Sequence, residues 1–306
     1  MASSKTLLSL LNLDGYGKKK VIHLIEELKA DLDTSDDVIR FLSGVSGMVK
    51  GIKVPDASQV KSAIQMARDT IRSSEDAGVH VLGYADKKYP DRLRTIPDPP
   101  PVLFAKGDLA GLSSAVSVAL IGTREPSDFG RKSAFAIGKS LAEFGITVVS
   151  GLALGCDTEG HLGCLEGRGT TVAVMAHGLD QVLPARNRPL AKRILSEGGC
   201  LVSEHALGVS AQRYSFVERD RLQSGLSNAV VVVETGVGGG SMHTVGFCKE
   251  QRRKLACVSP PDKNADAQFA EGHRMLISKG AKSLRNKGDV SELVGSILDR
   301  PTKLRP

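Results

Sequence analysis

The chain has 306 residues, of which 41% are apolar and 25% charged, enough for a buried core in one large domain with a smaller companion. It has no uninterrupted apolar run of the roughly eighteen residues that mark a membrane span, and MASSKTLLSLLNLDGYGKKK lacks the long apolar stretch and small-residue cleavage site expected of a secretory leader. The net charge of +7 is uneven: residues 1–100 carry 15 Lys/Arg against 14 Asp/Glu and the remainder 26 against 20, which allows a polyanionic partner without requiring one.

The first 75 or so residues read as helices, with apolar residues three and four apart in LLSLLNL, KKVIHLIEELKA, DDVIRFLSGV and ASQVKSAIQMARDTI. Leu13-Asp14-Gly15-Tyr16-Gly17-Lys18, between the first two, fits a helix-hairpin-helix turn on a DNA phosphate or a tight corner needing glycine for positive φ. A strand is expected at VHVLGY (79–84), placing the end of a small helical domain at residue 78 and a larger α/β domain over 79–300. The prolines of YPDRLRTIPDPPPVLFAKGD predict an extended, helix-free segment running along that domain.

From residue 113 continuous apolar runs alternate with helix-period segments. Strands are expected at AVSVALIG, ITVVSGLA, TTVAVMAH, CLVSE, NAVVVVET and KLACVSP, with helices near 130–144, 157–167, 187–197, 218–227 and 241–253. These βα units predict a Rossmann-like, doubly wound, mostly parallel sheet preceded by the helical part. The five cysteines (156, 164, 200, 248 and 257) form no CxxC pair and read as reduced, buried thiols of a cytoplasmic protein.

Ligands of such a sheet bind beyond the carboxyl ends of its strands, where the distinctive residues fall. Gly236-Val237-Gly238-Gly239-Gly240-Ser241 reads as an anion cradle with Ser241 capping a helix, or as a flexible loop; it lacks the Gly-Lys-Ser/Thr ending of a triphosphate loop. Arg124 offers a planar donor fork to a phosphate. Arg213 to Arg221 interleaves three arginines with Tyr214 and Phe216, the composition of a single-strand binding surface or of a solvated helix start. Ser203, Glu204 and His205 are adjacent on a strand end, where alternating faces forbid a triad. Asp157 and His161, four apart, fit a capping Asp with a hydrogen-bonded His, or a metal shared with His177.

Together these elements resemble the DNA-processing protein A family, DprA or Smf, from about Tyr89 to Ala281. The resemblance rests on Tyr89-Pro90, Leu93 and Pro99-Pro100 leading to Lys106-Gly107; on Gly122-Thr123-Arg124 with Ser127 and Gly130; and on Ser150-Gly151-Leu152-Ala153 with Gly155, Asp157 and His161. It continues through Gly178-Leu179-Asp180, Pro184, Asn187, Ser203-Glu204, then Phe216, Arg219, Arg221 and Gly225-Leu226-Ser227. Glu234, Gly240-Ser241, Thr244, Leu276-Ile277 and Gly280-Ala281 close the set.

The resemblance implies a non-enzymatic, cofactor-free, dimeric binder of single-stranded DNA that passes the strand to the RecA recombinase, in the family's case during transformation. The phosphate-binding set it implies is Gly122, Thr123, Arg124, Ser127, Ser150, Gly151, Phe216, Arg219, Arg221, Gly239, Gly240, Ser241, Thr244 and Arg274, with no catalytic and no metal-binding residue. Against the family pattern, Val217 and Asp220 replace a proline and an asparagine, Gly238 and Gly239 replace a basic residue and a serine, and Ser259-Pro260-Pro261 replaces Val-Pro-Gly. Arg274 stands for an asparagine, and no winged-helix segment is expected after Ala281. Two other readings compete: a nucleotide sensor or phosphoribohydrolase built on Glu234 and the glycine loop, and a regulator or antitoxin of a protein partner.

Overall fold

A computed structural model describes residues 2–259 and 267–299. Pro260 and Pro261, and Arg300 at the expected end of the larger domain, lie outside the described residues.

Four helices open the chain: α1 (Ser4–Leu11), α2 (Lys18–Ile25), α3 (Ser35–Val45) and α4 (Ala57–Asp76). Their starts are fixed locally by caps. Ser3 accepts from the Thr6 amide, and Thr34–Asp37 and Asp56–Gln59 form reciprocal capping boxes. Between α1 and α2 Gly15 has φ of +77°, and Tyr16 is buried with its hydroxyl donating to the Lys53 carbonyl at 2.7 Å. Lys20 donates to the carbonyls of Gly15 and Gly51, both at 2.7 Å, so the turn is a tight corner stitched by its own lysine.

The strands are β1 (Val79–Gly83), β2 (Val102–Gly107), β3 (Ser117–Ile121), β4 (Thr147–Ser150), β5 (Thr171–Val174), β6 (Cys200–Ser203), β7 (Ala229–Val232), β8 (Lys254–Val258) and β9 (Lys282–Leu284). They form one sheet in the order β1-β2-β6-β5-β4-β3-β7-β8-β9, parallel except where β2 runs antiparallel to both β1 and β6. The helices between them are α5 (Asp91–Arg94), α6 (Asp128–Glu143), α7 (Cys156–Glu166), α8 (Arg188–Ser196), α9 (Arg213–Gly225), α10 (Ser241–Glu250) and α11 (Ala267–Ser278), and α12 (Lys287–Leu298) follows β9.

The doubly wound, mostly parallel sheet is as expected, with three differences. The proline-rich segment is neither helix-free nor peripheral: Pro90 precedes the one-turn helix α5, a place where a missing N–H costs nothing, and the proline-free Val102–Gly107 pairs on both sides as β2. The three-residue β9 adds a parallel strand beside β8. α9 starts at Arg213, five residues before the expected 218, where the Gln212 amide donates to the Ser215 hydroxyl at 3.3 Å and the Ser215 amide to the Gln212 carbonyl at 2.9 Å.

Alternation along the strands divides the core. Val118 and Leu120 of β3, with Val231 of β7, pack under α6, α7 and α12. Ala119 and Ile121, with Val230 and Val232, face α10 and α11. The apolar face of α1–α4 is continuous with Val79, Val102, Phe104, Ala173 and Met175 of the sheet in one core.

Candidate functional site

After β3 the chain winds one way to β4, and β7 takes the place on the other side of β3. This reversal opens a crevice at the carboxyl ends of the two strands. It is a cavity of about 470 Å³ walled by the loop after β3, the face of α9 and the glycine loop leading into α10.

Of the residues expected from sequence, Gly122, Thr123, Arg124, Phe216, Arg219, Gly239, Gly240, Ser241 and Thr244 line this cleft together. On its rim the exposed Arg124 lies over the Phe216 ring, 5.7 Å from the centroid. Across from it Gly240 is the N-cap of α10 with no side-chain cap; the Met242 and His243 amides donate back to the Gly239 and Gly240 carbonyls at 2.9 and 3.1 Å, and Gly239, Gly240 and Ser241 line the cavity. Ser241 is the first helical residue and not the cap that the sequence suggests.

Arg219 forms the floor. It is 6% exposed, and its Nε and Nη1 have no hydrogen-bond partner among the described residues; Asp220 Oδ1 stands 3.6 Å from Nε, beyond hydrogen-bond range. Behind it lies Gly151, where a Cβ would fall 1.3 Å from Arg219 Nη1, so only glycine leaves room for the guanidinium. The Gly151 and Ala153 amides donate to Asp157 Oδ2 at 3.1 and 3.3 Å, so Asp157 ties down the loop after β4, while Gly155 is the N-cap of α7. Burial pushes the Asp157 carboxyl up to about 6 against the pull of Arg219, and burial likewise raises Asp220. His161 is fully buried with Nδ1 2.7 Å from the Thr171 hydroxyl, and burial, aided by Arg219, lowers it to about 3.

The remaining expected residues lie elsewhere. Ser150 is wholly buried and donates to the Leu120 carbonyl at 2.6 Å. Ser127 caps α6, and its amide and hydroxyl donate to the two Glu234 oxygens at 2.9 and 2.5 Å. Glu234, the residue a hydrolase reading relies on, thus holds the loop after β3. Arg274 is exposed on α11 and does not line the cleft.

Arg221 faces the far side of α9. Two residues on a helix are about 200° apart, so Arg219 and Arg221 cannot share a pocket. Arg221, 2% exposed, donates to Glu204 at 2.7 Å and Asp98 at 2.8 Å; Lys18 of α2 also reaches Glu204 at 2.8 Å. Burial works to raise Glu204, but Arg221 and Lys18 outweigh it and hold the carboxyl below its usual range. His205 meets Ser203 only through its backbone amide, which donates to the Ser203 hydroxyl.

The cleft also contains residues that sequence reasoning passed over, Gln223 of α9 and His243 of α10. The signal for Gln223 was helical spacing: Phe216, Asp220 and Gln223 stand at i, i+4 and i+7 on one face. An open cavity with Arg124, Arg213 and Arg219 among its walls suits an extended anionic ligand.

The family model for DNA recombination-mediator protein A matches residues 80–295. DNA processing protein DprA of Bacillus subtilis is 35% identical over 217 residues, 71% of this chain and 72% of that protein. Protein Smf of Synechocystis sp. is 37% identical over 215 residues; the match spans 69% of this chain but 53% of that protein's length. Among solved structures, DprA from Streptococcus pneumoniae superposes with a TM-score of 0.76 at 26% identity, covering 95% of this chain and 97% of that one. DNA processing protein A from Helicobacter pylori, described by its single-stranded DNA binding mode, shares the fold at 24% identity with a TM-score of 0.63, covering 71% and 96%.

Proposed function

The chain belongs to the DNA recombination-mediator protein A family, and from that membership we propose that it binds single-stranded DNA in the cleft between β3 and β7, without chemistry on the strand. As a homodimer in the cytoplasm, it protects the strand and hands it to the RecA recombinase. The observation that carries this reading is the gathering of Arg124, Arg213, Arg219 and the Phe216 ring on the walls of one cleft at the carboxyl ends of β3 and β7. Arg124 and the uncapped start of α10 give the rim its affinity for phosphates, and Phe216 adds a ring face for a base. The engagement of Glu234 by Ser127 supports a binding role over hydrolysis. No helix among the described residues is long and apolar enough to cross a membrane.

The test is fluorescence anisotropy with a labelled single strand and its duplex over a salt series, for the native protein and Arg124→Ala. The native protein should prefer the single strand, and Arg124→Ala should weaken binding and reduce the log–log salt slope by about 0.7, one phosphate contact. Binding to neither nucleic acid at low salt would overturn the reading. Light scattering of the free protein tests the dimer, and strand-exchange assays with RecA test the hand-over.

A further inference from the structure

The loop that leads from β7 into α10 brings no charge to the cleft. From Thr235 to Met242 every residue is uncharged, and four of them are glycine. The first charge that this wall can carry is the side chain of His243, which is exposed and lines the cavity beside the buried Thr244.

His243 stands next to a carboxylate that works against an anionic ligand. Asp220, across on α9, accepts from Gln223 Nε2 at 2.8 Å and from the Thr244 hydroxyl, and it lines the same cavity. Burial raises its carboxyl against the pull of Arg219 and of His243, so the imidazole lies near enough to act on that charge. The charged side chains that share the wall with His243 are Arg124 from the loop after β3, Arg213, Arg219 and Asp220 from α9, and Asp157 from α7; β7 and β8, beneath α10, contribute none. Three arginines against two aspartates leave one net positive charge for a polyanion, and a protonated imidazole doubles it. Histidine is also the side chain whose ordinary charge change falls between about pH 5 and 8.

Resting on the single-strand reading, we propose that His243 is a strand-contacting residue: as imidazolium it offsets Asp220 and meets a phosphate at the rim of the cleft, so that the strand binds more tightly in mildly acidic than in alkaline medium. As neutral imidazole it leaves the Asp220 carboxylate uncompensated, and that phosphate contact is lost. The contact adds affinity without sequence preference, since phosphate contacts carry none.

The experiment follows the anisotropy of labelled oligo-dT, whose bases do not titrate in this range, over salt series at about pH 5.5 and about pH 8. It compares the native protein with His243→Gln, which is neutral throughout, and His243→Lys, which is charged throughout. The native protein should bind about three- to fivefold tighter at the lower pH, with a log–log salt slope steeper by about 0.7, one phosphate contact on a single strand. His243→Gln should bind at the lower pH as the native protein does at the higher, and His243→Lys should show the reverse. Asp157, raised to about 6, titrates in the same window with the same sign, so the native pH dependence must persist in Asp157→Asn. A pH dependence of native size in His243→Gln would overturn the proposal, and its loss in Asp157→Asn would then assign it to that carboxyl. Equal binding by the native protein at the two pH values would also overturn it and leave the single-strand reading intact. Failure to bind the strand at either pH would instead sink that reading.

Discussion

Gly151→Ala separates a binding role of Arg219 from a structural one. The backbone at 151 is not in the left-handed region, so alanine is permitted there, but its Cβ would lie 1.3 Å from Arg219 Nη1 and 2.2 Å from Cζ. To regain van der Waals distance the guanidinium must move by about 2 Å. As the free end of a flexible side chain it moves more readily than the backbone, and the open space available to it is the cleft. The fold should survive with a loss of about 1–3 kcal/mol from overpacking. Loss of one charge-assisted contact to the strand is worth about 1.5–3 kcal/mol, a 10- to 150-fold drop in affinity. Anisotropy on a mixed-sequence single strand reads the affinity, and urea unfolding reads the stability. Because the added methyl acts through Arg219, Gly151→Ala should change affinity by less than about twofold in an Arg219→Ala background. Native affinity in the single variant, or additive losses in the double, would refute the placement of Arg219 in the binding site.

Three other perturbations test the surrounding groups. Arg221→Met breaks the pair with Glu204 and should cost about 3–5 kcal/mol in urea unfolding while the folded protein binds DNA as before; weakened binding with unchanged stability would contradict its position. Glu234→Gln leaves one acceptor for two Ser127 donors, so unfolding stability should fall by about 1–3 kcal/mol with strand affinity unchanged, whereas loss of saturable nucleotide binding would favour the enzyme reading. For pH, His161 is lowered to about 3 in the fold, so its contribution is full above 6.5 and lost as pH falls towards 3; Asp157 is raised to about 6, so its contribution is present below 3.8 and lost as pH rises through 6. The two oppose each other between pH 4 and 6. Asp157→Asn should remove the compensation and let stability climb with pH there at up to about 1.4 kcal/mol per unit, so an unchanged urea midpoint profile would refute the assignment.

The strands of the parallel sheet are legible because each is buried on both faces: Ala229–Val232 is uninterrupted valine and alanine, and no helix of that length would read so. The cleft is legible because glycines and arginines gather where those strands end. β2 is not, since the prolines before Val102 mask a strand whose partners, β1 and β6, are far away in sequence. Arg221 is misplaced by any reading along the chain, because a motif string groups it with Arg219 while the helix turns the two apart. Gln223 escapes for the same reason in reverse: only the helical face brings it beside Asp220.

Glu204 has a consequence for how such a chain can change over time. One buried carboxylate is shared by Lys18 from the first helices, Asp98's partner Arg221 from α9, and the end of β6. Exchanging α9 alone, without a cation at 221, would leave the Glu204 carboxylate buried with only the half-exposed Lys18 beside it. A chimaera that imports residues 1–78 from a relative without a cation at position 18 keeps the Arg221–Glu204 pair but loses its second cation. The helices and the sheet are thus bound to vary together, and a natural variant at one of these positions is best sought alongside a second at another.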